Sequence, residues 1–413
     1  MHDKNMLLMI GVNNRPAVKK TWANDRQARQ KMIADLKKRA MDAAGGGTGG
    51  VAASGVRIVF AYEASGLGFV LHDELAAAGV ECHVLAPTGI ARSVKHVRRK
   101  TDERDAQRLL EMVRAHVYAG TPLPSVWIPD LQTRDDREVV RMRVKASRRV
   151  TSVKNQIRCL LKRHDRHEEF AGWTNPGRAY LEGLAENGLG FGAAGALSSL
   201  LRELDFASQE MGRLDANLRE LAEQPRHAEV LGRVKIKGVG PLTSLSFLTE
   251  IGPMNRFRNR RQIGSYLGLT PRSHESGQCD DRKGHITRQG PARLRKLLNQ
   301  AVRCQIRTDP KVRAAYERLL RGNPKRDGAA VVALMRQLAI RLWHEFGEAQ
   351  ALASGRKQQE VVQKEVAQKE VAQKAVAQKA VAQKAVAQKA VARKEVARKE
   401  VARKEVARKA VAR

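Results

Sequence analysis

Hydrophobic and polar positions are arranged differently in successive stretches of this chain. "NMLLMIGV" near the start and "VRIVFAYEA" over 56–64 are short apolar runs of the buried-strand kind. The second is followed by the helix-like "GFVLHDELAAAG" and a third strand, "VECHVLAP". Strand, helix, strand, helix predicts an α/β domain with parallel members over residues 1–130. Between the first two strands, "AAGGGTGGVAASG" reads as a flexible linker, long and soft for the inside of a compact sheet.

Over 131–229 the period becomes helical. Val139, Ala146, Val150, Val153, Ile157 and Leu160 recur at steps of three and four, and so do Leu197, Leu200, Leu204, Ala207, Met211, Leu214, Leu218 and Leu221. Two long helices with a less regular stretch between them predict either an antiparallel hairpin or an intermolecular coiled coil. Residues 230–350 open with "IKGVGPLTSLSFLTEIG", a turn flanked by Gly238 and Gly240 ahead of an apolar helix. It has the form of a helix-hairpin-helix element, whose glycines let amide N–H groups approach a phosphate. A polar Gly/Ser-rich loop then runs into a basic helix. The region 351–413 is a repeat of "EVAQK", "AVAQK" and "EVARK". A five-residue step turns about 500° on a helix, so successive valines drift by roughly 140° and build no seam. A fluctuating solvated helix or disorder is expected there.

Charge narrows the function. The 413 residues hold 77 Lys/Arg against 43 Asp/Glu, a formal +34. The stretch from Arg356 onward has 17 Lys/Arg against 6 Glu, a net +11, so residues 1–355 carry +23 without it. A polyanionic partner, above all nucleic acid, fits this balance, with a basic membrane-surface protein as the competing reading. No apolar run reaches about 18 residues and the N-terminus lacks signal-peptide flanks, so a cytoplasmic protein with no membrane partner is expected. Cys82, Cys159, Cys279 and Cys304 show no CxxC spacing and read as reduced thiols, indicating neither a disulfide framework nor a zinc site.

Basic side chains cluster twice. Arg141, Arg143, Lys145, Arg148, Arg149, Lys154, Arg158, Lys162 and Arg163 ride on the first long helix; Arg288, Arg293, Arg295 and Lys296 surround the start of the later one. Both clusters suit phosphate contact, and a solvated basic face is the alternative. His274 and Lys283 lie near the second cluster, placed for phosphate contact or proton handling.

Acids are what such a chain has to explain. Thr101 is a fitting N-cap for a helix with apolar positions Ala106, Leu109, Leu110, Val113 and Val117, on which Asp102 and Asp105 share the stripe of Leu109 and Val113. First-turn acids also match a helix dipole, which is the plain alternative. Glu63, however, sits at the carboxyl end of a candidate buried strand, where ligands of α/β sheets gather. Carboxylates converging in a nucleic-acid-binding protein point to Mg²⁺, and a pair of such ions about 4 Å apart drives phosphoryl transfer.

The ordered set "IGVN", "FAYEASG", "KTDERDA", "VWIPD", "GVGPLT", "RFRNRRQIGSYLGLTPRSHESG" and "GHITRQGPARLRKLL" resembles the DEDD transposases of insertion-sequence family 110, with its 1111 subgroup, over roughly residues 5–345. The resemblance implies an α/β ribonuclease-H-like N-terminal domain related to Holliday-junction resolvases over 1–130. A helical coiled-coil insert over 131–229 and a mainly α C-terminal transposase domain over 230–350 would follow, then the low-complexity tail. It also implies a Mg²⁺-binding acidic quartet, a serine that attacks DNA, and a noncoding bridge RNA that pairs with donor and target.

By position, Glu63, Asp102 and Asp105 match the second, third and fourth acids. Where the family has its first Asp, this chain has Asn13, an amide that coordinates a cation without supplying charge. The stretch after Asn13 lacks the alternation expected of the next two strands. Asp25 substituting, Asn13 serving weakly, or a decayed element are the readings this leaves. Ser276 in "HESG" matches the nucleophile, with Ser273 as alternative; apart from the family, a Ser beside Gly is a turn residue.

A transposase or recombinase that cuts and rejoins DNA, working as a dimer or tetramer, is the expectation. A resolvase-type nuclease and a catalytically impaired nucleic-acid-binding remnant are its rivals.

Overall fold

The computed structural model describes residues 4–12, 15–44, 56–90, 101–273 and 283–355. Asn13, Ser276 and its neighbours His274 and Cys279, the Gly-rich segment over 45–55 and the repeat tail from 356 therefore lie outside the described residues. The chain separates between Asp130 and Leu131 into two compact units.

In the first unit, β1 (Asn5–Ile10) pairs antiparallel with β2 (Val18–Ala23), from Asn5 opposite Ala23 to Ile10 opposite Val18. After β2 comes α1 (Arg26–Ala43). The chain then forms β3 (Val59–Glu63), α2 (Val70–Ala77) and β4 (Glu81–Leu85), a parallel pair in which Glu63 stands opposite Leu85. Alternation along β1 places Met6, Leu8 and Ile10 inside, where they meet Met32 and Ile33 of α1, Tyr62 of β3, Leu71 and Leu75 of α2, and Val84 of β4. The fork of Arg29 on α1 holds Glu74 on α2, with Nε to Oε2 at 2.7 Å. The final element is α3 (Asp102–Ala119).

The three apolar runs became strands and the α/β order holds. Two elements were not legible. β2 carries Lys19, Lys20 and Thr21 and buries no residue, so its pairing with β1 is a backbone event without a hydrophobic signature. α1 has almost no amphipathic contrast, with two buried residues in 18 positions. Among the described residues, the strands of this unit pair only two by two; the hydrogen-bonded ladders do not join β1 to β3.

The second unit begins with α4 (Leu131–Arg163) and α6 (Phe191–Glu223), with α5 (Asn175–Gly183) and a π turn (Leu184–Gly188) between them. Arg143 Nε reaches Asp215 at 2.5 Å and Arg149 Nε reaches Glu203 at 3.7 Å, so the partner number falls as the first rises: the helices run antiparallel. Val153, Ile157, Leu160 and Leu161 are buried with Leu197, Leu201 and Leu204 of the same chain. Of the two arrangements the heptad pattern permits, the hairpin forms this seam.

The rest of the unit is α7 (Pro225–Arg233), α8 (Pro241–Ile251), α9 (Arg260–Tyr266), the hairpin β5 (Pro271–Ser273) with β6 (Lys283–Ile286), α10 (Ala292–Thr308), α11 (Pro310–Leu320) and α12 over 327–355. Their core includes Phe247, Ile251, Leu267, Leu298, Val302, Leu342 and Phe346. At the hairpin base, Asp136 of α4 is 2% exposed and takes Arg226 Nε at 3.1 Å and His227 Nε2 at 2.8 Å from α7. Next to it, buried Arg137 donates from Nε to the carbonyl of Thr249 at 2.7 Å. Burial pushes its guanidinium below the ordinary value, and Glu250 opposes that shift. Among the described residues no helix is long and apolar enough to cross a membrane.

Candidate active site

Three acids from two distant segments of the chain, Glu63 on one and Asp102 with Asp105 on the other, line one cavity of the first unit. Thr101 caps α3, its hydroxyl accepting from Arg104 N at 3.4 Å, and the first turn carries Asp102, Glu103 and Asp105. Glu103 points elsewhere and pairs with Lys19 at 2.7 Å. Asp102 and Asp105, three residues apart, share a face with Leu109 and Val113, and this face lines a cavity of about 510 Å³ together with β1 and β3. Glu63, last residue of β3, lines the same cavity. Arg108 of the same helix stands 3.9 Å from Asp105.

Gly11 and Val12, which precede Asn13, also line the cavity. A Cβ on Gly11 would stand 3.0 Å from Arg114 Nη2 and 3.2 Å from Leu110, so glycine lets the end of β1 lie close to α3. Asp25 is not among the cavity residues. Its carboxylate caps α1, accepting from Ala28 N at 2.8 Å, and this occupation argues against it as the replacement acid. Arg39 and Arg114 do line the cavity and were missed by sequence reasoning. Arg114 lies on the Leu110 side of the same stripe, so its place was legible from helix period; Arg39, on an unrecognised helix, was not. The donor set Glu63, Asp102 and Asp105 is all oxygen, the chemistry that suits Mg²⁺.

The residues around the second basic cluster form a tight backbone crossing. Gly268 and Gly290 have φ of +63° and +73°; a Cβ on the first would fall 2.2 Å from the carbonyl oxygen of Gln289, and on the second 1.9 Å from that of Tyr266. "YLGL" and "RQG" thus cross in close backbone contact. Arg295 ties it: Nη1 donates to the carbonyls of Gln289 at 2.6 Å and Leu267 at 3.1 Å, and Nη2 to that of Arg288 at 2.9 Å. Arg295 was expected on a nucleic-acid backbone; its donors are instead held by this chain's own carbonyls. Arg288 and Lys296 are exposed and Arg293 is half-buried. β5 and β6 lie next to this crossing in sequence, with Ser273 opposite Lys283.

Gly238 also has an internal reason for its glycine. At φ +77°, a Cβ there would meet the carbonyl oxygen of Ala301 at 3.0 Å and Gln305 Cγ at 3.2 Å, so the turn closes on α10 rather than leaving an open cradle. Gly240 has open space and caps α8. On the long hairpin, Arg143 is drawn into the seam by Asp215, while Arg149 lies near Glu203 and over Phe206. Lys154 and Arg158 stand over Trp173, at 4.8 and 5.6 Å from the ring centre. Arg148 is exposed.

Comparison with known proteins matches residues 8–165 to a family model described as a DEDD transposase of the IS110 type and residues 234–317 to one described as the IS116/IS110/IS902 transposase family. A Pseudomonas aeruginosa protein named "Probable family 20 transposase" is 30% identical over 284 residues, 66% of this chain and 79% of the relative. The Sinorhizobium fredii protein y4qE, named as a transposase, is 31% identical over 243 residues, 58% of this chain and 57% of the relative. The transposase for insertion sequence element IS1111A of Coxiella burnetii is 26% identical over 236 residues, 55% of this chain and 60% of the relative. The chain thus spans somewhat over half the length of the y4qE protein and of the IS1111A transposase.

Proposed function

Since the chain belongs to the IS116/IS110/IS902 family of insertion-sequence transposases, we propose that it cuts and rejoins DNA at the cavity lined by Glu63, Asp102 and Asp105, with Ser276 as nucleophile. The observation that carries this reading is the convergence of three acids from β3 and α3 on one cavity in a chain of formal +34. Asn13, two residues beyond Gly11 in sequence, would complete the set with an amide oxygen. Mg²⁺ bound there would supply Lewis-acid activation of an attacking oxygen and stabilisation of a leaving one. The carboxylates would hold that charge, and Arg39 and Arg114 would help the cavity accept a phosphate. The Ser276 hydroxyl would attack phosphorus, forming a serine–phosphate ester as the bond to the leaving DNA oxygen breaks, with the hydroxyl proton passing to that oxygen. Arg148, Arg149, Lys154, Arg158, Lys283, Arg288, Arg293 and Lys296 would contact nucleic-acid backbone. Two DNA partners call for a dimer or tetramer, and a bridge RNA would choose the sites.

The test is a covalent complex. Wild type, Ser276→Ala and Asn13→Asp are incubated with Mg²⁺, RNA and labelled element-end DNA and run on a denaturing gel. An adduct present in wild type and absent in Ser276→Ala supports the reading; junction cutting that survives Ser276→Ala without an adduct would replace it with a resolvase-type nuclease. The substitution at Asn13 favours a second reading, an impaired nucleic-acid-binding remnant, which predicts an adduct only after Asn13→Asp.

A further inference from the structure

At the other end of α3 from Asp102 and Asp105, three side chains of metal-binding type come together. Glu81 and His83 alternate along β4 and share one face. His116 is in the last turn of α3. One donor atom from each lies within 4.8 Å of the other two. None of the three lines the acidic cavity.

The chain path builds this cluster deliberately. Gly120 ends α3 in the left-handed conformation, with its N–H bonded back to His116 O at 3.0 Å. The following residues run back along β4, where Val126 N donates to Val84 O at 2.8 Å and Ala86 N to Pro124 O at 2.8 Å. Two outer contacts result. His116 Nδ1 donates to the carbonyl of Thr121 at 2.8 Å, and since a carbonyl only accepts, Nδ1 carries the ring proton and Nε2 keeps its lone pair. Ser125 Oγ lies 3.3 Å from His83 Nδ1, an acceptor ready to hold that proton too. Imidazoles whose Nδ1–H is anchored by an outer oxygen while Nε2 points inward are the usual preparation of histidine metal ligands.

From this geometry we propose that Glu81, His83 and His116 form a site for a transition-metal dication of the zinc class, separate from the oxygen-donor cavity. Two imidazoles and one carboxylate select zinc over Mg²⁺, which prefers oxygen. Tetrahedral ligation at about 2.1 Å requires donors about 3.4 Å apart, a contraction that side-chain rotation supplies. His83 Nε2 now contacts Glu81 Oε1 at 2.9 Å; on binding, that contact is replaced by the metal and the ring proton is carried on Nδ1. Arg57 is the internal competitor. It grips the same carboxylate, Nε to Oε2 at 2.7 Å and Nη2 to Oε1 at 3.0 Å, so a metal has to displace one cation with another. Occupied, the site ties the start of β4 to the end of α3, the helix whose first turn bears Asp102 and Asp105.

The full chain, stripped with a chelator, is titrated with Co²⁺ and followed by visible absorption. The expected result is one equivalent with the intense bands of a four-coordinate ion, removed by Zn²⁺ and not by Mg²⁺. Co²⁺ in an all-oxygen octahedral site at the acidic cavity absorbs far more weakly, so the outcome is independent of the proposed DNA chemistry. His83→Ala and His116→Ala abolish the intense bands. Ser125→Ala weakens binding about tenfold by removing an outer partner. Arg57→Ala, which removes a competing cation at the surface, tightens it. Only weak octahedral absorption in wild type, an unchanged spectrum in His116→Ala, or weaker binding in Arg57→Ala would overturn the proposal.

Discussion

The carbonyl oxygen of Tyr266 lies 1.9 Å from where a Cβ on Gly290 would stand, and Gly290 is at φ +73°. Glycine is required there twice over, for conformation and for space. Gly290→Ala is expected to destabilise the second unit by about 2–4 kcal/mol, combining strained backbone with displaced carbonyl. Denaturant unfolding monitored by circular dichroism checks this; an unchanged midpoint would show that the crossing of "YLGL" and "RQG" yields easily.

Asp136 is buried between Arg226 and His227, with side-chain exposures of 3%, 30% and 11%. Asp136→Ala leaves a buried histidine and a partly buried arginine without their acceptor. A loss of about 3 kcal/mol is expected, at the low end for breaking a buried pair because water reaches Arg226. His227→Ala should cost less, since Arg226 still satisfies the carboxylate. Equal losses would mean that helix α7 docks through its apolar face alone.

Burial pushes the thiol of Cys82 up to about 12, with the charge of Asp73 adding to the shift, whereas Cys159 is exposed. Only thiolate is nucleophilic. Iodoacetamide at mildly alkaline pH should therefore label Cys159 and leave Cys82 until the first unit unfolds. Peptide mass spectrometry distinguishes the two, and early labelling of Cys82 would show that β4 opens locally.

Hydrogen bonding from Arg57 holds the Glu81 carboxyl at about 2, below its ordinary 4.5, with burial opposing and His83 assisting. A depressed folded-state value contributes stability that is fully present above the unfolded value near 4.5 and is lost as pH falls toward about 2. The wild-type melting temperature should drop through that window more steeply than that of Arg57→Ala. Parallel curves would mean that the exposed fork is screened to insignificance.

How much of the fold and site could be read in advance depended on whether the information was local. The strands β1, β3 and β4, the cap Thr101 and the stripe of Asp102, Asp105, Leu109 and Val113 are fixed by apolar runs, capping chemistry and helix period. The seams of the long hairpin are fixed in the same way, although periodicity alone left open whether the partner helix belonged to the same chain.

Other features depended on contacts between distant segments. Lys19, Lys20 and Thr21 make a strand because β1 offers backbone partners, not because β2 has an apolar face. Arg295 looked like a phosphate contact until the fold placed four backbone carbonyls around its guanidinium. The spacing of Glu81 and His83 was legible in "VECHV", but His116 reaches them only after α3 has run its length and turned at Gly120. The sequence by itself determined the types of the apolar-patterned elements, the acidic stripe and the basic character, because these rest on neighbours within a few residues. The tertiary structure decided which charges stay available and which are taken up inside the protein, because a cation's partner is whatever the fold brings within 3 Å or so.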